Sequence, residues 1–140
     1  MEMKDSDDDG VPVSRALYTY DKVTGEVVSY ADVPQDSYIG LRYCDSNHVK
    51  ASSEETLKEF NNKLTAANGE YSTVLIATCT LRNMYLADEK DAEGLLVKDL
   101  LPSGLTVSGL YAFGEIAPTS VREGKAVNRF HNATFTMCAF

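Results

Sequence analysis

The stretch "YSTVLIATCT", residues 71–80, decides the fold of this chain. It is apolar and β-branched over about seven residues, which is typical of a central strand covered on both faces. Helical patterns precede and follow it along the chain. The sequence therefore predicts a sheet that packs against helices, with this strand near its middle.

Two helices are predicted around this strand. The first begins near Ser52, because Glu55 three residues later completes a capping-box pattern, and it ends at Asn68 and Gly69. Its apolar stripe consists of Leu57, Phe60, Leu64 and Ala67. The second helix lies within "DEKDAEGLLVKDLLP", residues 88–102, where leucines recur at helical spacing.

Further strands are predicted on both sides of these elements. Leu17 to Tyr20 and Glu26 to Tyr30 form a hairpin around "DKVTG". A third strand lies within "DSYIGLRYCD", and its core face is expected to carry Ile39, Leu41 and Tyr43. "LTVSGLYAF" and the C-terminal "NATFTMCAF" complete the set. The order is roughly βββαβαββ, so we predict an α+β single domain with two helices and one mixed or mostly antiparallel sheet.

The charge is concentrated at the N-terminus. The chain of 140 residues has a net charge of −8, and "MEMKDSDDDG" holds five acids and one lysine. Like charges repel and this segment has no apolar face, so we predict a disordered acidic leader over residues 1–13 and a folded domain over 14–140. The acidic balance argues against nucleic-acid binding and against an anionic membrane surface as a partner.

Composition also bounds the chemistry. No long apolar run predicts a membrane span, and the three cysteines are odd in number and far apart, so we expect reduced thiols in a cytoplasmic protein. No dinucleotide, P-loop or zinc motif occurs. The residues therefore predict no metal site and no dinucleotide or nucleotide cofactor, while a Cys–His–Glu nucleophile set can still be assembled from Cys79, His131 and Glu115.

Five polar or reactive residues lie where predicted strands end or begin, and each has a plain structural alternative: Cys79, Arg82, Glu115, His131 and Asn132. Cys79 is a nucleophile or an inert core thiol. Arg82 grips a carboxylate or is a surface charge. Glu115 meets a ligand or accepts backbone N–H bonds in a turn, and His131 is a general base, a haem ligand or a half-exposed residue at a strand start.

One C-terminal pattern is more specific. In "GLYAFGEIAP", residues 109–118, an apolar strand stops at a glycine and presents one carboxylate, and "NRFHNATFTMCAF" follows after a short charged loop. Together these segments resemble the closing signature of the FIST C-terminal domain. Cys79 and Arg82 resemble that family's Cys-x-x-Arg motif, and residues 18–45 are similar to its opening hairpin, so the resemblance covers about residues 16–140. The chain departs from the pattern at Asp36, where the family usually has glycine, and in the longer loop 119–127.

The resemblance implies a sensory domain of bacterial signal transduction that binds a small, amino-acid-like ligand without catalysis. It also implies a signalling output domain or an N-terminal FIST half as partner, and we expect this chain to be a C-terminal unit without that half. A homodimer is a further arrangement that we leave open. Haem is the alternative ligand, with His131 as its axial residue, and a structural or dimerisation module with no ligand is a further alternative.

Overall fold

The computed structural model describes residues 2–4 and 12–140 of the chain. In chain order its elements are β1 (Glu2–Lys4), β2 (Val13–Ser14), β3 (Leu17–Tyr20), β4 (Val27–Ser29), β5 (Tyr38–Gly40), α1 (Ser46–Ala67), β6 (Thr73–Cys79), α2 (Thr80–Leu86), α3 (Ala92–Leu100), β7 (Thr106–Ala112), β8 (Glu115–Arg122), β9 (Lys125–His131) and β10 (Phe135–Ala139). The predicted α+β class is confirmed. Among the described residues, no helix is both long and apolar enough to cross a membrane.

The chain forms two compact units. Unit 1 comprises the described residues of Met1–Tyr43 together with Gly114–Ala133, and unit 2 comprises Cys44–Phe113 and Thr134–Phe140. All three helices therefore belong to unit 2, which also holds β6, β7 and β10. Unit 1 is built from strands alone within the described part of the chain.

Unit 2 contains a mixed three-stranded sheet in the order β10-β6-β7. β6 is central, antiparallel to β10 and parallel to β7, which confirms the mixed sheet and its predicted middle strand. Val74 and Ile76 are buried in a core with Leu57 of α1 and apolar residues of α3. The prediction that β6 is covered on both faces is wrong, because Leu75 points to the opposite face and is 44% exposed.

The first helix is longer than predicted. Its N-cap is Asp45, whose carboxylate accepts a hydrogen bond from the backbone N–H of His48 at 3.0 Å. Ser52 instead lies inside the helix, where its hydroxyl donates to the carbonyl oxygen of Val49. The stop at Asn68 is confirmed, with φ of 48°. Helix α2 was not predicted, since its seven residues are too few to show a periodic pattern.

Unit 1 contains two hairpins and one small sheet. β3 and β4 form the predicted hairpin, and β1 pairs with both β2 and β5. Ile39, Leu41 and Tyr43 are exposed, so their predicted core face is wrong. β5 ends at Gly40 after three residues, and alternation across a sheet therefore does not extend to the residues that follow.

The leader prediction differs from the structure where the two can be compared. Glu2–Lys4 form β1, because pairing through backbone hydrogen bonds does not depend on side-chain charge. Met1 and residues 5–11 of the predicted leader lie outside the described residues. The predicted loop over 119–127 is also wrong, since β8 and β9 form a hairpin across it. Glu123 and Gly124 turn that hairpin with φ of 51° and 76°, as a type I′ turn requires.

Candidate functional site

The five predicted site residues fall into both units. Glu115, His131 and Asn132 belong to unit 1, whereas Cys79 and Arg82 belong to unit 2.

In unit 1, the β8–β9 hairpin brings the three predicted residues together. Glu115 begins β8 and lies directly opposite His131, the last residue of β9, and Asn132 follows. Their exposed fractions are 5%, 7% and 1%. The neighbouring pair on the other face of the hairpin, Ile116 and Phe130, is exposed. The hairpin thus buries polar groups and exposes apolar ones, the reverse of ordinary strand patterning.

Asn132 is held by the backbone of the segment between β2 and β3. Its Oδ1 accepts a hydrogen bond from the N–H of Ala16 at 3.1 Å, and its own N–H donates to the carbonyl oxygen of Ser14 at 3.2 Å. These bonds fix the amide so that Nδ2 points away from Ala16. Within the described part of the chain, Asn132 Nδ2 and His131 Nε2 are buried without a hydrogen-bond partner. Each such group costs about 1–3 kcal/mol when nothing satisfies it.

Two arginines contribute positive charge near this cluster. Arg15 Nη1 donates to the carbonyl oxygens of Phe130 at 2.9 Å and Ser14 at 3.0 Å. Burial lowers the pKa of His131, and the positive charges of Arg15 and Arg129 lower it further. His131 is therefore neutral near pH 7, and its surroundings favour a negatively charged group beside the ring.

Arg15 also hydrogen-bonds to a residue that borders a groove in unit 1. Its Nε donates to the carbonyl oxygen of Asp32 at 3.0 Å, and Asp32 also lines a groove of about 570 Å³. Apolar side chains form much of the remaining wall: Leu17, Val27, Val28, Tyr30 and Ile39. This volume lies in the range of small-molecule sites.

In unit 2, Arg82 has an internal partner. Its Nε donates to Glu93 Oε1 at 2.8 Å, and both side chains are buried. Its Nη2 donates to the carbonyl oxygen of Val49 and to the hydroxyls of Ser52 and Ser53, the last at 2.7 Å. These bonds join α2, α1 and α3. We therefore assign Arg82 to the packing of unit 2 and leave it out of the proposed ligand contacts.

Glu93 is satisfied on both carboxylate oxygens. Ser53 donates to Oε1 at 2.7 Å and Thr78 to Oε2 at 3.1 Å. Cys79 is fully buried at the end of β6, where its N–H donates to the carbonyl oxygen of Thr134. This burial agrees with the alternative that Cys79 is an inert thiol in the core.

Sequence reasoning missed Arg15, Ser53 and Glu93. A signal for the last two was present: Glu93 stands at helical spacing from Leu96, Val97 and Leu100, and Ser53 stands four residues from Leu57. A polar residue on an apolar stripe indicates a buried partner. Arg15 carried no such signal, because its acceptors are backbone carbonyls, and those of Asp32 and Phe130 are distant in sequence.

Comparison with known proteins identifies the family. The model of the FIST C domain matches residues 2–118, more than half of the chain. That range includes Cys79, Arg82 and Glu115, whereas His131 and Asn132 follow it. No curated protein and no solved structure matches the chain. Asp36, where the resemblance leads us to expect glycine, has φ of 66°, a conformation that glycine adopts more readily. The chain therefore belongs to the FIST C domain family, a family of sensory domains in signal transduction.

Proposed function

We propose that this domain senses a small amino-acid-like ligand, without catalysis, through the cluster of Glu115, His131 and Asn132. One observation carries the proposal: two side-chain nitrogens on consecutive residues, His131 Nε2 and Asn132 Nδ2, are buried without a partner among the described residues. Buried polar groups in folded proteins nearly always have one. A ligand that hydrogen-bonds to both supplies it.

The electrostatics favour a carboxylate at this position. Asn132 Nδ2 donates to one carboxylate oxygen, and the nearby charges of Arg15 and Arg129 attract the anion. Neutral His131 provides a second hydrogen bond when its proton is on Nε2. Glu115, directly opposite His131, attracts the ammonium group of a zwitterion. The ligand's side chain extends toward the groove bordered by Asp32, whose apolar wall suits an aliphatic or aromatic group.

The proposed setting is cytoplasmic. Binding shifts the population of two conformations of the β8–β9 hairpin, and a signalling output domain or an N-terminal FIST half reads that shift. The full burial of Cys79 supports a role without catalysis. Haem is not part of the proposal, because the charged neighbours Arg15, Arg129 and Glu115 do not fit an apolar porphyrin slot beside His131.

The test is a thermal-shift screen of the full chain against the amino acids, with their decarboxylated and deaminated analogues. A ligand at a hundred times its Kd adds about 2.7 kcal/mol of stability, which raises Tm by roughly 5–10 °C in a domain of this size. We expect a shift with one class of amino acid and a smaller one with each analogue. Haem is included as a separate probe.

One substitution separates binding from folding. Asn132→Asp keeps the oxygen that accepts from Ala16 but replaces the Nδ2 donor by an oxygen, so a ligand carboxylate is repelled. Asn128→Asp, an exposed change on the same hairpin, is the matched control. We expect the ligand shift to disappear only in Asn132→Asp. No shift with any amino acid, or an undiminished shift in Asn132→Asp, would contradict the proposal, and a shift with haem alone would favour the alternative.

A further inference from the structure

The outer edge of β7 is exposed. Among the described residues, β7 pairs with β6 and has no strand on its other side. Six of its seven residues are exposed, including Val107, Leu110 and Tyr111. The edge therefore presents a row of backbone donors and acceptors together with apolar side chains.

This edge has none of the usual protection against pairing. Natural edge strands carry lysines, prolines or bulges that block a further strand. The sequence of β7, TVSGLYA, has no charge and no proline, and its pairing with β6 runs over seven residues without a register shift. The net charge of −8 repels a second copy as a whole, but β7 places no charged side chain at the contact, so this segment adds no local repulsion to pairing.

The backbone direction shows which residues face outward. The N–H of Thr106 donates to the carbonyl oxygen of Ser72, which precedes β6, so Thr106 faces β6. Alternation along the strand then directs the backbone groups of Val107, Gly109 and Tyr111 away from β6. These are the groups available to an incoming strand.

We propose that β7 pairs antiparallel with β7 of a second copy, centred on Gly109. Gly109 is the middle residue of Thr106–Ala112, so only this twofold register uses the whole strand. It places Val107 opposite Tyr111 of the second copy, a favourable pair of β-branched and aromatic residues. The three outward residues then form pairs that each exchange two hydrogen bonds. The three-stranded sheets of both copies join into one continuous sheet. This inference is independent of the ligand proposal.

The register is tested by disulfide formation. In it, Ser108 lies opposite Leu110 of the second copy in a non-hydrogen-bonded pair with Cα atoms about 4.5 Å apart, within the range a disulfide spans. The variants Ser108→Cys and Leu110→Cys are made in a background with the exposed Cys44 and Cys138 replaced by serine. Mild oxidation of the two variants mixed is expected to give a linked dimer on a non-reducing gel. Each variant alone should give several-fold less, because its like residues are then about 7–8 Å apart.

The interface is tested by sedimentation velocity of the full chain. We expect a reversible species of twice the monomer mass that Leu110→Lys abolishes, since an edge lysine blocks strand pairing. Leu110 is 56% exposed, so this change should leave the circular dichroism spectrum intact. Tyr38→Lys, a change at a 79% exposed strand residue of unit 1, should leave the dimer unchanged. A monomer at every concentration, a dimer that survives Leu110→Lys, or equal self-linking of the single cysteine variants would each overturn the proposal.

Discussion

The ion pair between Arg82 and Glu93 predicts a large loss of stability from a change that preserves shape. Glu93→Gln keeps the side chain's volume but removes the negative charge that faces the buried Arg82 guanidinium. Both side chains are nearly inaccessible, at 7% and 4% exposure. Breaking such a buried pair costs about 3–5 kcal/mol. Arg82 keeps its bonds to Val49, Ser52 and Ser53, so we expect the lower end, about 3 kcal/mol.

A double-mutant cycle isolates the pair. Arg82→Met leaves the Glu93 carboxylate buried with only the hydroxyls of Ser53 and Thr78, and should cost a similar amount. The double variant has neither charge, so its loss should fall short of the sum of the single losses by about 2–3 kcal/mol. Additive losses would mean that the two charges do not interact.

The assay is urea unfolding followed by the helical circular dichroism signal, which reports on unit 2 because all three helices belong to it. With a slope of about 1.5–2 kcal/mol per molar urea, a loss of 3 kcal/mol lowers the midpoint by roughly 1.5–2 M. Glu89→Gln is the control, since it removes an exposed ion pair with Lys50 and should change the midpoint little. If Glu93→Gln shifts the midpoint no more than Glu89→Gln does, the guanidinium is solvated and the buried pair is refuted.

Three further predictions concern single residues. Ala133 has φ of 59°, so Ala133→Gly should raise the free energy of unfolding by about 0.5–1 kcal/mol, whereas the control Ala126→Gly within β9 should lower it. Thermal unfolding measures both, and a lower stability of Ala133→Gly than of the unchanged chain would contradict the prediction. The backbone N–H of His48 and then its ring hold the pKa of Asp45 below its usual range, so Asp45 stabilises α1 above about pH 3.9 and that contribution is lost as the pH falls through the lower folded pKa. Asp45→Asn should remove this part of the acid loss of helical signal. Burial and then arginine charges lower the pKa of His131, so folding favours its neutral form and stability should fall as the pH drops below about 6.5 until the folded pKa is reached. His131→Gln should flatten that slope of Tm against pH, His48→Gln should retain it, and an unchanged slope in His131→Gln would reject the assignment.

The local sequence pattern was sufficient to predict elements that bury an apolar face and expose a polar one. α3 and β10 were predicted because each shows a clear apolar period or alternation, and the β3–β4 hairpin because a glycine ends its turn. The β8–β9 hairpin was not predicted, because it buries Glu115 and exposes Ile116. Its turn, Glu123–Gly124, also lies in a charged stretch that reads as a loop. A reversed alternation cannot be recognised until the position of the core is known.

The burial of a polar residue was predictable only where it lies on the apolar stripe of its own helix, because the stripe shows which face is buried. Glu93 and Ser53 could be located from the apolar stripes of α3 and α1. Arg82 could not be assigned to Glu93 from sequence, because their contact depends on how α2 follows β6 and where α3 returns. The closeness of Glu115 and His131 likewise depends on the register of a hairpin that the sequence did not reveal.

Burial does not distinguish a structural polar group from a binding one, but hydrogen-bond satisfaction does. Arg82 and Glu93 are as buried as His131 and Asn132, and their network accounts for both carboxylate oxygens and for the guanidinium. His131 Nε2 and Asn132 Nδ2 have no such partners in the described residues. Leaving these two polar nitrogens unsatisfied costs stability in the free domain, and a ligand that pairs with them recovers that cost on binding. Substitutions of Arg82 or Glu93 should therefore change the free energy of unfolding with or without ligand. Asn132→Asp should mainly change the additional stability that the ligand provides.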